Sequence, residues 1–298
     1  MKFRTEYIAN KAPFVLDPQK PVVLIGSCFS QNIAAKMESQ LWKAVNPSGT
    51  LYNPYSICLA MDMMTDLKNG LHRFENSLFY YNGIWNSHQF DSSFSSNNRE
   101  DCIENFKIKQ NSFCENLKTG KQLIITFGTS ICYYLTEKKT PVGNCHKQPS
   151  SVFYTKRLTS GECVSIWNKL YAKLGTLFPG VKIIFTVSPV RHLKNGFEGN
   201  ARSKAVLLLA TEEICEINSD CFYFPAFEIL NDDLRDYRFY ASDLAHPSDE
   251  AIEYIWDKFK ETFVDSQGVR ILEEGSKEFK AANHRPKTGA LGKPLNPQ

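Results

Sequence analysis

The chain alternates between two hydrophobic patterns. Short apolar runs, Val22 to Ile25, Leu123 to Phe127, Val181 to Val187 and Cys221 to Phe224, have the length of single strands. Runs with so little polar interruption suit strands covered on both faces, as in a parallel sheet. Between them, apolar residues recur at helical spacing. Phe29, Ile33, Ala34 and Met37 form one such face, and Ile57, Cys58, Ala60, Met61, Met64 and Leu67 another. The same spacing predicts helices over about 99–118, 160–177, 203–217 and 248–263. A short second strand lies within 42–49, closed by turn residues, and Asn53-Pro54 reads as a helix start with Pro at the first helical position. Five strands alternating with helices predict a three-layer α/β/α sandwich around a mainly parallel five-stranded sheet.

Three stretches break this rhythm. Residues 71–98 are aromatic and turn-rich, and Asn82-Gly83 signals a hairpin. An insertion of that length is expected to cover an active site or to build a partner surface. Residues 137–162 read as irregular up to the helix that starts near 160, and residues 1–20 as a loose or edge-forming arm. The domain is therefore expected to span 1–264. A charged, partly disordered tail follows over 265–298, with most of the disorder in its last fifteen residues.

Composition narrows the function classes. With 35 basic and 32 acidic side chains the net charge is only +3, and no basic stripe suggests a nucleic-acid partner. No apolar run approaches membrane-spanning length, and the amino terminus lacks the apolar core of a signal peptide. The expectation is a cytoplasmic protein with no membrane partner. Nine cysteines, an odd number without a C-x-x-C pair, support neither a disulfide framework nor a zinc site. His72 and His88 read as structural, with His88, flanked by aromatics, the one placed to line a pocket.

Ligands of open parallel sheets bind beyond the carboxyl ends of the strands. Five polar clusters fall there: 26–28, 46–49, 128–130, 188–192 and 243–246. Gly26 ends the first strand, which places Ser27 and Cys28 where unpaired helix N–H groups favour a thiolate or an oxyanion. Asp243 and His246 lie three apart just before a helix, so one turn can present a base and its orienting carboxylate.

The motif Gly26-Ser27-Cys28-Phe29-Ser30 and its companions resemble the GSCFA family, grouped with the SGNH (GDSL-like) hydrolases of flavodoxin-like fold. The resemblance covers about residues 20–263. In it, Gly26-Ser27-Cys28-Phe29 corresponds to the Gly-Asp-Ser-Leu block, Asn46-Pro47-Ser48-Gly49 to the Asn/Gly loop, and Gly128-Thr129-Ser130 to the Gly-x-Asn block. Asp243, His246 and Pro247 match Asp-x-x-His-Pro intact. Two departures stand out. Aligned on the glycine, Cys28 takes the nucleophile position and Ser27 the aspartate position, and Ser130 replaces the oxyanion-binding Asn.

The resemblance implies an ester hydrolase or acyl transferase acting on a small-molecule or glycan ester, with no metal or organic cofactor. Cys28 (or Ser27) would attack, His246 would act as base and then acid, and Asp243 would orient it. Backbone N–H groups of Cys28 and Gly49, with Ser130 or Asn144, would hold the oxyanion; Asn46 and Gly128 belong to the same blocks. His146 and Lys147 are candidate substrate contacts, and Arg191 with His192 a candidate anion site. A thiolate lowered by His⁺ and the helix end would be the stronger nucleophile. The competing reading is a ligand-binding module that kept the fold without efficient chemistry. A nucleotide-binding protein is disfavoured because no Gly-x-Gly-x-x-Gly or P-loop pattern follows a strand.

Overall fold

The computed structural model describes residues 4–283. Its elements run β1 (Val22–Gly26), α1 (Cys28–Glu38), β2 (Ala44–Val45), α2 (Pro54–Thr65), α3 (Gly70–Glu75), β3 (Leu78–Tyr81), β4 (Ile84–Ser87) and α4 (Arg99–Gly120). They continue as β5 (Gln122–Phe127), β6 (Ile131–Leu135), β7 (Pro141–Val142), β8 (Phe153–Arg157), α5 (Ser160–Leu177), β9 (Lys182–Val187) and α6 (Gly196–Ile217). The chain closes with β10 (Cys221–Tyr223), the short α7 (Ala226–Glu228), α8 (Asp249–Phe263) and α9 (Ser266–Asn283).

The predicted parallel sheet is present, in the order β10-β9-β5-β1-β2 with every neighbouring pair parallel. Because side chains alternate across a strand, each central strand feeds two cores. Val23, Ile25, Leu123, Ile125, Ile183 and Phe185 face the layer of α2, α4, α5 and α6. Val22, Leu24, Ile124 and Ile184 face the layer of α1 and α8, whose Ile255, Trp256 and Phe259 close over them. Burial on both faces is why these strands are apolar without alternation, and the result is the expected three-layer α/β/α sandwich.

Three regions differ from the sequence reading. The stretch read as irregular contains β7 and β8, which flank β6 in a small antiparallel sheet. Four of the five residues of β8 are exposed, so it carries no apolar signal and is held by backbone pairing. Helix α6 starts at Gly196, seven residues before the predicted 203, through a polar stretch without periodicity.

The third difference is the tail. Residues 266–283 form α9, with Leu272 buried and Val269 packed on the same core as Trp42 and Trp256. Its six charged side chains among eighteen residues concealed a narrow apolar face. The remaining fifteen residues, where disorder was expected, lie outside the described residues.

The amino-terminal arm forms no strand from Arg4 to Lys20. It is tied down instead by Leu16, which is buried and whose N–H donates to the Phe263 carbonyl at 2.8 Å. The insertion does contain the predicted hairpin, β3–β4, turning at Asn82 and Gly83 with φ of 49° and 83°. All nine cysteines are free thiols. Among the described residues no helix is long and apolar enough to cross a membrane.

Candidate active site

β1 ends in a turn that only glycine accommodates. Gly26 has φ +140°, and a Cβ there would lie 2.1 Å from the Thr126 carbonyl oxygen of β5. Past this contact the Ser27 N–H donates to the same carbonyl, and α1 begins at Cys28. The two candidate nucleophiles then separate. Ser27 is 1% exposed and makes no side-chain cap, and among the described residues its buried hydroxyl has no hydrogen-bond partner. Cys28 is half-buried.

Burial pushes the Cys28 thiol up, while the N–H groups of Cys28 and Phe29 and the charge of Lys204 pull it down. The negative charge of Asp243 adds to the upward side, and the balance is upward. The helix end therefore acts in the expected direction but is outweighed by desolvation. The net direction is upward, opposite to the lowering expected from His⁺ and the helix end.

The loop before α8 builds the second half of the site. Ala241 N–H donates to the His246 carbonyl at 2.8 Å, and Tyr240 bridges Pro247. Within this turn one oxygen of Asp243 accepts the N–H groups of Ala245 (2.9 Å) and His246 (3.0 Å). Its other oxygen accepts His246 Nδ1–H at 2.6 Å. The backbone N–H of His246, then that of Ala245 and then the imidazole hold the Asp243 carboxyl well below the usual carboxylate range. With Nδ1 so engaged, Nε2 is the nitrogen left for proton transfer.

Among the described residues, neither Cys28 nor Ser27 is hydrogen-bonded to His246. The link between the two halves is the field of Asp243, which reaches the Cys28 thiol.

The match to known families spans both halves. The GSCFA family model covers residues 21–259. This chain belongs to the GSCFA family. No curated protein sequence matches it. The region shared with GSCFA proteins takes in all five strands of the main sheet, the Cys28 turn and the Asp243–His246 loop; it stops before α9.

The other residues predicted for the site divide into those held in structural bonds and those left open. Ser130 is fully buried, with its N–H and hydroxyl both on Ser203 Oγ of α6 (2.8 and 3.2 Å), which removes it as an oxyanion donor. Gly128 donates its N–H to the Tyr52 carbonyl at 2.7 Å and packs against Ser27. His146 is not a free substrate contact, because Nε2 bonds the carbonyls of Ser87 (2.7 Å) and Phe90 (3.0 Å) and so fastens the insertion. Lys147 follows it in the left-handed region, with φ of 57°.

Arg191 is likewise turned to another purpose. Its N–H donates to the Ala245 carbonyl at 2.9 Å, and its guanidinium lies 3.9 Å from the Tyr240 ring centroid. It thus braces the loop carrying Asp243 and His246. Among the described residues the buried side-chain N–H₂ of Asn46 has no partner. Gly49 abuts the Asp91 carboxylate, through which the insertion reaches the site by accepting Thr50 N–H at 2.7 Å. Asn144 and His192 line a cleft of about 200 Å³ with Tyr52, Thr129, Tyr133 and Cys145. Tyr52 ties this cleft to the nucleophile turn, since its phenol is pushed up first by burial and then by Cys28.

Sequence reasoning missed Lys204. It is 1% exposed, and Nζ donates to the carbonyls of Gly128 (2.7 Å) and Ser188 (2.6 Å), just beyond β5 and β9. The signal was available: Lys204 shares helical spacing with buried Leu207, Thr211 and Ile214, so a lysine stands at a core position.

Proposed function

We propose that this GSCFA protein is an SGNH-type ester hydrolase or acyl transferase with Cys28 as nucleophile, His246 as base and then acid, and Asp243 as orienting carboxylate. The observation that carries this reading is the Asp243–His246 pair. A carboxylate fixed by two backbone N–H groups holds Nδ1 at 2.6 Å, selecting the tautomer in which Nε2 can accept a proton. The strand order, β2-β1-β5-β9-β10, is that of a flavodoxin-like sheet. Its strand ends are where such chemistry is housed.

In the proposed cycle Cys28 Sγ attacks the ester carbonyl carbon as its proton passes to His246 Nε2. The C–O bond then breaks, the leaving alkoxide takes that proton, and a thioester remains. Water, or an acceptor hydroxyl in transfer, attacks the thioester, giving its proton to Nε2 while Sγ leaves and is reprotonated. Cys28 and His246 are not hydrogen-bonded among the described residues, so Sγ and Nε2 must come within hydrogen-bond reach for this transfer. N–H groups of Cys28 and Gly49 and the amide of Asn144 are the oxyanion donors, with the unpartnered amide of Asn46 beside them in the same loop as Gly49. Cys28 is favoured over Ser27 because it is half-buried whereas Ser27 is enclosed.

The test is turnover of short-chain p-nitrophenyl esters by the wild type, C28A, S27A and H246A. Losing the nucleophile or base should cost about 10²- to 10⁴-fold, with S27A within a few-fold of wild type. C28A and H246A both matching wild type would overturn the assignment. A second reading, a glycan-ester-binding module, draws on the sequestered Ser130 hydroxyl and on burial pushing the Cys28 thiol up. It gains if the wild type is inert toward O-acylated sugars that nonetheless raise its melting temperature.

A further inference from the structure

Lys204 has a setting unlike that of any lysine on the surface. Its amine is enclosed between α6 and the ends of β5 and β9, and among the described residues no carboxylate bonds to it. A neutral amine has two N–H donors, and the carbonyls of Gly128 and Ser188 satisfy both; a proton gained would add a third donor. The clamp sits directly behind the nucleophile turn, because Gly128 packs on Ser27. The adjacent Ser203 grips Thr129 and Ser130, so two consecutive residues of α6 hold the whole 128–130 turn.

The groups around this amine show which charge it answers to. Burial pushes Lys204 down to about 7, and the opposing influence is Cys28. The influence is mutual, since the positive charge of Lys204 lowers the thiol while that of Asp243, being negative, raises it. Tyr52 faces the thiol from α2's leading loop, and His192 is pushed down by burial and then by Lys204. The Phe227 ring lies 5.7 Å from Nζ. Of these groups, Cys28 is the one whose negative charge would act on Lys204.

We infer that Lys204 is a positioning residue for Cys28: its amino group clamps the strand ends behind the nucleophile turn, and when it holds a proton taken from solvent its charge favours the thiolate, while the proton of Sγ itself passes to His246. The inference rests on Cys28 being the attacking residue, but neither readout below involves turnover. An inactive wild type would therefore count against the esterase reading alone.

The first readout is the pH dependence of Cys28 alkylation by iodoacetamide, followed by mass spectrometry of its peptide, in wild type and K204M. The expected result is a higher apparent thiol midpoint in K204M and labelling slowed by about threefold or more at pH 8. An unchanged profile in a K204M protein with wild-type circular dichroism and melting overturns the inference.

The second readout keeps Lys204 and changes only the charge at position 28, so it stands even if K204M fails to fold. Lysine side-chain NMR titrations of C28D and C28N should place the lowest-titrating lysine about one pH unit or more higher in C28D. Equal titration in the two variants overturns it.

Discussion

Single residues at the nucleophile turn carry more constraint than their size suggests. Gly26 combines a left-handed φ with a carbonyl 2.1 Å from where a Cβ would stand. Gly26→Ala should therefore cost roughly 3 kcal/mol, from backbone strain and overpacking together. Denaturant unfolding checks this, and a loss under about 1 kcal/mol would mean that β5 yields at Thr126. Asp243 depends on its backbone contacts in a different way. Its carboxylate stays ionised across the working pH range because the N–H groups of His246 and Ala245 and the imidazole all favour the anion. Asp243→Asn keeps the size but allows the amide to donate to Nδ1, the wrong tautomer for a base. Ester turnover should fall by about 10²- to 10⁴-fold, and activity within threefold of wild type would remove Asp243 from the proposed triad.

At the scale of elements, local signals and tertiary contacts contribute differently. Helix α5 starts at the predicted Ser160 because Thr159 and Glu162 form a complete capping box, with Glu162 N–H on Thr159 Oγ1 at 3.2 Å and Thr159 N–H on Glu162 at 2.8 Å. Thr159→Ala should cost about 1 kcal/mol in unfolding experiments, and no measurable loss would show that packing alone sets this start.

Helix α9 is the opposite case. Six of its eighteen residues are charged, and its stability comes from Leu272 entering a core shared with Trp42 and Trp256. Leu272→Ala should cost about 2–4 kcal/mol, whereas a loose tail would show none. β8 was invisible for a related reason, since a strand held mainly by pairing and by the cross-strand Tyr134–Tyr154 stack leaves no alternating apolar pattern. The β3–β4 hairpin was legible because Asn-Gly encodes its turn directly.

For the whole molecule, buried titratable groups set how stability follows pH. Lys204 is pushed down to about 7 in the folded protein but holds its proton to about 10.4 when unfolded. Between those values the unfolded chain binds more protons, so this group makes stability rise with pH, by at most about 1.4 kcal/mol per unit. The buried thiols act oppositely. Cys132, Cys163 and Cys215 are pushed up to about 12 by desolvation, so above about 9 the unfolded chain releases protons that the folded protein keeps. Those three alone cost roughly 4 kcal/mol per pH unit there. Unfolding free energies from pH 7 to 10.5 should rise gently and then fall steeply near pH 9. K204M should lose the rise and keep the fall; a rise that persists in K204M would assign it to another group.

By itself the sequence determined the order and type of the main elements, the parallel sheet, and the two turns on which the candidate chemistry depends. Those features are local: apolar runs, helical spacing, capping residues and a glycine followed by Ser-Cys each act within a few positions. The tertiary structure alone decided which side chains remain available. Ser130 is consumed by Ser203, His146 by the carbonyls of Ser87 and Phe90, and Arg191 by the loop it braces. Ser27 is enclosed while its neighbour Cys28 stays reachable, and Lys204 arrives behind both from a helix far along the chain. Burial and long-range hydrogen bonds are properties of the packed chain, and burial is what pushes the Cys28 thiol up and the Lys204 amine down.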